Sequence, residues 1–198
     1  MPTNAEKLQI FLRSRRSIRR FKPDPVPAEV VERILETATY APSAHNLQPW
    51  RFVVLESQTI KQQLGEALTK AMQADMLLEG AVESDIHKRT NNSLRRLSEA
   101  PVTILLCRDL TVVREHKPED TIMAIQSVAN AGLQLLLAAH AEGLGGNWIC
   151  WPLYAQGETR LVLGLPDSWE PQALFFIGYP AMEPSIKEMH TSQVIIHK

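Results

Sequence analysis

The 198-residue sequence has little cysteine, no long apolar run and almost no net charge. Its two cysteines, Cys107 and Cys150, form no CxxC pair and no disulfide framework, which is typical of a reducing cytosol. No apolar run approaches the roughly 18 residues that span a bilayer, and the polar N-terminus lacks a secretion signal. A formal net charge of −1 gives no global attraction to nucleic acid. We therefore expect a cytoplasmic protein with neither a membrane nor a nucleic-acid partner.

Motifs of several common site classes are also missing. No strand is followed by GxGxxG, and GxxxxGK[ST] does not occur, which argues against a doubly wound nucleotide fold. The six histidines show no metal-ligand spacing, so no metal site is predicted. Hydrophobic residues make up 44% of the chain, enough to bury the core of one domain over residues 1–198.

Hydrophobic periodicity and turn residues predict helices alternating with about four strands. Helices are predicted at 4–14, from Pro27 to before Pro42, at 58–73 after Ser57 as N-cap, and at 80–99, 122–141 and 155–163; strands are predicted at 51–55, 102–107, 146–150 and 172–178. This order predicts an α+β fold, a three-layer sandwich with a central mixed β-sheet flanked by helices.

Two segments indicate a second subunit. The helix at 122–141 is apolar nearly all round, so one of its sides requires a cover that a chain of this size does not obviously supply. The tail ends in the β-prone run Val194–Ile196. We expect an obligate homodimer in which this C-terminal tail reaches over the partner subunit.

A basic cluster at 13–22 contains the first candidate site. Arginine recognises phosphate through two parallel hydrogen bonds, and a serine hydroxyl adds a further donor. Arg15, Arg16, Ser17 and Arg19 therefore form a candidate phosphate anchor. Two other interpretations stay open for the cluster taken alone, a solvated helix face and a nucleic-acid-binding module.

Two further segments carry ligand-binding chemistry. The stretch 41–50 is a loop held by two prolines, and its amide side chains can bind the polar edges of a flat heterocycle. The stretch 142–150 has three glycines after the apolar helix, which let the backbone approach a ligand closely. Taken singly, each has an ordinary structural interpretation, as a loop and as a helix end.

Together the three segments resemble a known family. RRSIRRF (15–21), PSAHNLQPWRF (42–52) and GLGGNW (143–148) are similar, in order and spacing, to the signatures of the nitroreductase family of FMN enzymes. The resemblance covers nearly the whole chain, including WEPQALFFIGYP (169–180). Within the family, DSWEP (167–171) and IGYP (177–180) most resemble the flavin domain fused to the glutamyl ligase of deazaflavin-coenzyme biosynthesis.

The resemblance implies roles for matching positions. The phosphate and ribityl chain of FMN would be held by Arg15, Ser17 and Arg19, with Arg16 at the pyrimidine side or the phosphate. The flavin would be lined by Pro42, Ser43, Asn46 and Gln48 from the partner subunit, and by Ser93 and Arg96 beside the pyrimidine ring. The hydride-accepting edge would face Trp148, Ile149, Cys150 and Trp151. Lys187 would be one base of the pair that often closes on the phosphate; Met189 stands where the second would be.

The expected function is electron transfer from NAD(P)H through FMN to a small oxidised organic acceptor, such as a nitroaromatic or a quinone, by a ping-pong mechanism. One alternative is a flavin enzyme that acts on a dedicated metabolite, such as a deazaflavin-coenzyme precursor. Others are a flavin-binding protein without turnover and the nucleic-acid-binding module at 13–22. Cys150 is expected to be mostly buried and to act through its backbone amide rather than its sulfur.

Overall fold

The structure, a computed structural model, describes residues 2–114 and 117–184. The elements in chain order are α1 (Asn4–Ser14), α2 (Ala28–Thr39), β1 (Trp50–Val54), α3 (Gln58–Leu78), α4 (Glu83–Glu99), β2 (Val102–Asp109), α5 (Pro118–Ala141), β3 (Gly145–Ile149), α6 (Gln156–Leu163) and β4 (Trp169–Gly178). Short 3₁₀ turns lie at Ala44–Asn46, Leu110–Val112 and Trp151–Tyr154.

Local signals explain where several helices begin and end. A capping box between Thr3 and Glu6 starts α1, and the Ser57 side chain accepts from the Ile60 amide at the start of α3. Gly143 follows α5 with a φ of 75°, a left-handed conformation that glycine adopts without strain. α3 runs five residues beyond the predicted 73, and β4 begins three residues before the predicted 172.

The four strands form one sheet in the order β1-β2-β4-β3. All three strand pairings are antiparallel, which differs from the predicted mixed sheet; the parallel pairing in the described chain is an isolated bridge between Ser17 and Gly146. The β2–β4 register shifts after Leu106, so that Cys107 lies opposite Pro171. Such an irregularity is expected at a proline, because a proline has no N–H for a regular ladder.

Helices cover both faces of the sheet and confirm the three-layer α+β sandwich. On one face, residues of α2 and α5 pack with Ile104 and Phe175; on the other, residues of α3, α4 and α6 surround Leu105 and Phe176. The alternation of these side chains along β2 and β4 fills both layers and leaves β2 buried along its whole length.

α5 is the central helix of one layer. It is long and apolar enough to cross a membrane, yet half of its most apolar stretch is buried inside the chain, as in a core helix. The all-round burial predicted for it does not hold within one chain, because Ile122 and Leu133 are 54% and 51% exposed. This exposed apolar side is the one that a second subunit would cover in the expected homodimer.

Candidate functional site

A cavity of about 610 Å³ lies between the α3–α4 pair and the end of the sheet where β3 leads into the turn Trp151–Tyr154. This volume falls within the range of small-molecule and cofactor pockets. Seven predicted site residues line it: Arg19, Ser93, Arg96, Trp148, Ile149, Cys150 and Trp151. They come from three separate stretches of sequence that the fold brings together.

Close backbone contact joins the arginine segment to β3. The Ile18 amide donates to the Gly146 carbonyl at 3.1 Å. A Cβ added at Gly145 would lie 2.6 Å from the Cβ of Ile18, which is closer than real carbon atoms approach. The glycines of the GLGG stretch therefore let the 15–19 segment lie directly against the sheet, and this contact places Arg19 at the cavity.

Trp148 is fixed from the opposite side of β3. Its ring meets Phe175 edge to face at a centroid distance of 4.9 Å and lies over Gly132 of α5. A Cβ at Gly132 would come within 2.3 Å of the Trp148 ring. The cavity wall thus depends on a glycine in the middle of a core helix, a position that carries no signal in the sequence.

Asn147 is a lining residue that sequence reasoning missed. It is 3% exposed, and its side-chain oxygen has no hydrogen-bond partner among the described residues. An unpaired buried amide oxygen costs about 1–3 kcal/mol. A ligand that donates a hydrogen bond in the cavity would remove this cost.

Two helix faces cover the cavity, and most of their residues were not predicted. The set shares the spacing i, i+3, i+4 and i+7, which places four side chains of each helix on one side. The residues are Met72, Asp75 and Met76 of α3 with Glu79 directly after its end, and Arg89, Asn92, Ser93 and Arg96 of α4. Helical spacing was visible in the sequence, but nothing in it showed which face would meet a cavity.

Arg15 and Arg16 lie apart from Arg19. Both line a second hollow of about 190 Å³ beside His140 and the glycines after α5. The Arg16 guanidinium donates to the carbonyl oxygen of Arg15 at 2.8 Å and also to that of Arg13. The structure of one chain therefore divides the arginines of the predicted phosphate anchor between two hollows, and Ser17 lines neither of them.

His140 borders the second hollow and is held by α1. Its Nε2 lies 2.8 Å from the Ser14 hydroxyl, and its ring stacks on Phe11 at a centroid distance of 4.9 Å. Burial and the nearby Arg15 charge lower the pKa of His140. A neutral imidazole therefore adds no positive charge beside Arg15 at neutral pH.

The loop 42–48 occupies a different part of the molecule. None of its predicted residues, Pro42, Ser43, Asn46 and Gln48, lines the large cavity of the described chain. Pro42, Asn46 and Gln48 are exposed, and Ser43 is half-buried. The resemblance implies that these residues reach the flavin from the partner subunit, and their place outside the cavity of their own chain leaves that a prediction.

The same loop carries unusual backbone strain. His45, Asn46 and Gln48 have φ values of 53°, 55° and 50°, in the left-handed region that residues other than glycine rarely adopt. Such conformations persist where surrounding contacts hold them, and they concentrate at binding sites.

Hydrogen bonds to α5 and within the loop maintain this conformation. The Ser127 hydroxyl accepts from the Ala44 amide at 3.0 Å, and Asn130 donates to the Pro42 carbonyl at 3.2 Å. The Ser43 hydroxyl accepts from the Gln48 amide at 3.1 Å. The loop is therefore a rigid surface feature that presents its amide side chains outward.

The two cysteines have contrasting environments. Cys107 is buried in β2, and burial raises the pKa of its thiol to about 12. Cys150 is exposed, so the expectation that it is mostly buried is wrong for the single chain. The cause is its position directly after β3, where the chain leaves the sheet for a 3₁₀ turn.

The nitroreductase family model matches residues 12–179, which is most of the chain. The chain belongs to the nitroreductase family. A Bacillus subtilis protein named as an NAD(P)H nitroreductase, YfhC, is 33% identical over 91% of this chain and 88% of its own length. A Rhodospirillum rubrum protein named 5,6-dimethylbenzimidazole synthase is 32% identical over 95% and 89%.

Solved structures of the same family share the fold. One of them, named as a nitroreductase in complex with FMN from Desulfovibrio desulfuricans, has a TM-score of 0.74 and 25% identity, and the match covers 100% of this chain and 98% of that one. In this chain, the arginine and glycine segments form the cavity wall and the hollow beside it, and the third signature segment forms the strained loop. Lys187 and the tail Val194–Ile196 lie outside the described residues.

Proposed function

We propose that this nitroreductase transfers electrons from NAD(P)H to a small oxidised organic acceptor, with FMN held in the large cavity. Family membership supports the enzyme class, an FMN-dependent NAD(P)H oxidoreductase. The single observation that carries the assignment to this site is the convergence of Arg19, Asn147 and Arg96 on one cavity.

The residues present fit such a cofactor. Arg19 and Arg96 supply cations, and among the described residues neither has a carboxylate within ion-pair distance. The buried Asn147 oxygen can accept from a ring N–H. Ile149 and Met72 supply apolar surface for a flat ring, and the Trp148 ring packs behind this wall against Phe175 and Gly132.

When bound, FMN would supply a two-electron carrier that the nicotinamide reduces and the acceptor reoxidises. Overall, NAD(P)H loses a hydride to become NAD(P)⁺, and a quinone gains two electrons and two protons, the second proton from solvent, to become a hydroquinone. Arg96 would stabilise negative charge on the reduced ring. Because one cavity serves donor and acceptor in turn, we expect ping-pong kinetics.

The second half of the site would come from another copy of the chain. The loop 42–48 is rigid, strained and exposed, and it lies beside the exposed apolar side of α5. We propose a cytoplasmic homodimer of single-domain chains in which each loop completes the partner's flavin site. The arginines at 15 and 16 would close on the phosphate from the neighbouring hollow.

A dedicated metabolite is the second candidate for the acceptor, because one relative at 32% identity is an enzyme named for a single product. Kinetics separate the two candidates. An enzyme for general acceptors would reduce many of them with comparable kcat/KM, whereas an enzyme for a dedicated metabolite would have a kcat/KM for it that exceeds all others by orders of magnitude.

Purification of the protein with FMN tests the proposal. We expect a yellow protein whose flavin absorbance bleaches with NADH or NADPH under anaerobic conditions and returns on addition of a quinone or nitroaromatic. A colourless protein that fails to bind added FMN would refute it. If that protein instead bound DNA with an affinity falling steeply with salt, the basic cluster 13–22 would be a nucleic-acid surface.

A further inference from the structure

The cavity contains one cation more than the proposed cofactor role uses. Arg89 of α4 lines the same cavity as Arg19 and Arg96. No carboxylate of the described chain lies within 4.0 Å of its guanidinium, although Asp75 and Glu79 line the cavity as well. An arginine left without an ion pair inside a concave site is available to an anionic ligand.

The position of Arg89 separates it from the cofactor residues. It precedes Arg96 by seven residues on the same face of α4, about 10 Å along the helix axis. Gly65 of α3 packs closely against Leu94 and Leu97 of α4. Because α4 begins at Glu83, Arg89 lies nearer than Arg96 to the α3–α4 connection at residues 79–82. Arg89 therefore lines a part of the cavity about two helical turns from Arg96, towards the α3–α4 connection.

The surroundings of Arg89 suit a flat ring with an acidic substituent. Met72 and Met76 on the facing helix are flexible apolar side chains that adapt to aromatic ligands. Trp151 is buried and donates from its indole nitrogen to the Leu68 carbonyl at 3.1 Å, so the floor beneath α3 is fixed. Beside these apolar side chains, a guanidinium that the cofactor role leaves unused favours an aromatic compound that bears a negative charge.

We propose that Arg89 binds the carboxylate, sulfonate or phosphate of the molecule that exchanges electrons with the cofactor, so that the enzyme selects anionic partners. The inference rests on the proposed function, because it places this molecule over FMN in the same cavity. The anionic group can belong to the acceptor or to the phosphate that distinguishes NADPH from NADH, and kinetics distinguish these sources.

Steady-state kinetics of flavin-loaded wild type, Arg89→Ala and Arg89→Lys test the proposal with naphthoquinone sulfonate and with unsubstituted naphthoquinone, each with NADH and with NADPH. For Arg89→Ala we expect kcat/KM for one member of a pair, the sulfonated quinone or NADPH, to fall about tenfold or more, while the counterpart without the additional anionic group changes less than about threefold. Arg89→Lys should recover part of the loss. Selective loss with the sulfonate assigns the anion to the acceptor; selective loss with NADPH assigns it to the donor.

Lys88→Ala is the matched control, since Lys88 is the adjacent exposed cation of α4 and does not line the cavity. This variant removes one positive charge, as Arg89→Ala does. It should leave unchanged the kcat/KM of the sulfonated relative to the unsubstituted quinone, and that of NADPH relative to NADH. Equal losses for both members of each pair in Arg89→Ala, or no loss, would overturn the inference. FMN titration and bleaching by NADH report the proposed function separately, and a failure there would appear already in the wild type.

Discussion

The wall of the large cavity and the loop 42–48 hold their polar residues in opposite ways. The wall is assembled from distant segments of one chain, and its central residue, Asn147, is buried with an unsatisfied oxygen. The loop is local and exposed, and it is strained at His45, Asn46 and Gln48. The wall directs a hydrogen-bond acceptor into a cavity of the chain, whereas the loop presents its amide side chains at the surface. The difference is the one expected if, as proposed, a cofactor fills the cavity and the loop of a second copy completes the site.

The largest effect is expected from a methyl group behind the wall. Gly132→Ala places a Cβ about 2.3 Å from the Trp148 ring, so the indole must move. We expect the free energy of unfolding to fall by about 1–3 kcal/mol and FMN affinity to fall with it, because Trp148 lines the cavity. Urea denaturation and FMN titration measure the two changes.

Gly157→Ala is its control, since a Cβ at Gly157 of α6 has no atom within 4 Å. This variant should be as stable as wild type or slightly more stable. If Gly132→Ala matched it, the wall would not depend on close packing of Trp148.

The next largest effect concerns the phosphate anchor. Arg19→Ala removes a charge-assisted contact and should weaken FMN binding roughly ten- to a hundredfold. Arg20→Ala, at the neighbouring exposed arginine that does not line the cavity, should bind FMN as wild type does. Equal dissociation constants for the two variants would remove Arg19 from the site.

At Asn147 we expect stability and FMN affinity to respond differently to one substitution. Asn147→Leu removes an unsatisfied buried oxygen, so the apoprotein should be no less stable than wild type, while FMN affinity should fall by up to about tenfold. Thr103→Val is the matched variant, because Thr103 Oγ1 is the other unpaired buried side-chain atom found in the described chain and lies outside the cavity. It should retain FMN affinity. Unchanged affinity in Asn147→Leu would show that the ligand does not use the amide.

The smallest effect is expected at Cys150. Its side chain is exposed at the cavity, and Cys107, the other cysteine, is buried in β2 with a thiol pKa of about 12. With no nearby partner for a disulfide, Cys150→Ala should keep FMN affinity and the rate of bleaching by NADH within a few-fold. Stopped-flow absorbance measures the rate; normal bleaching with loss of transfer to every acceptor would show that the sulfur takes part.

Sequence periodicity predicted the elements well because most of them have one clear buried side, as α2 does with Ile34 and Ala38. The resemblance to the nitroreductase signatures, rather than residue spacing, predicted that Arg19, Ser93, Arg96 and residues 148–151 lie at one site. Arg89 and Met76 were missed since helical spacing does not reveal what a face will meet. The burial of Cys150 was mistaken because the turn after β3 depends on tertiary contacts.

Mixing two defective variants tests most directly whether the loop of one subunit completes the cavity of the other. Arg19→Ala carries a defective cavity with an intact loop, and an Asn46→Ala, Gln48→Ala double variant carries the reverse. Each alone should bind little FMN at a concentration near the wild-type dissociation constant. If they are unfolded and refolded together, about a quarter of the sites should be intact, because half of the dimers are mixed and each has one complete site. Recovery of FMN binding to that level is the predicted result, and binding no greater than the mean of the two separate variants would contradict the shared site.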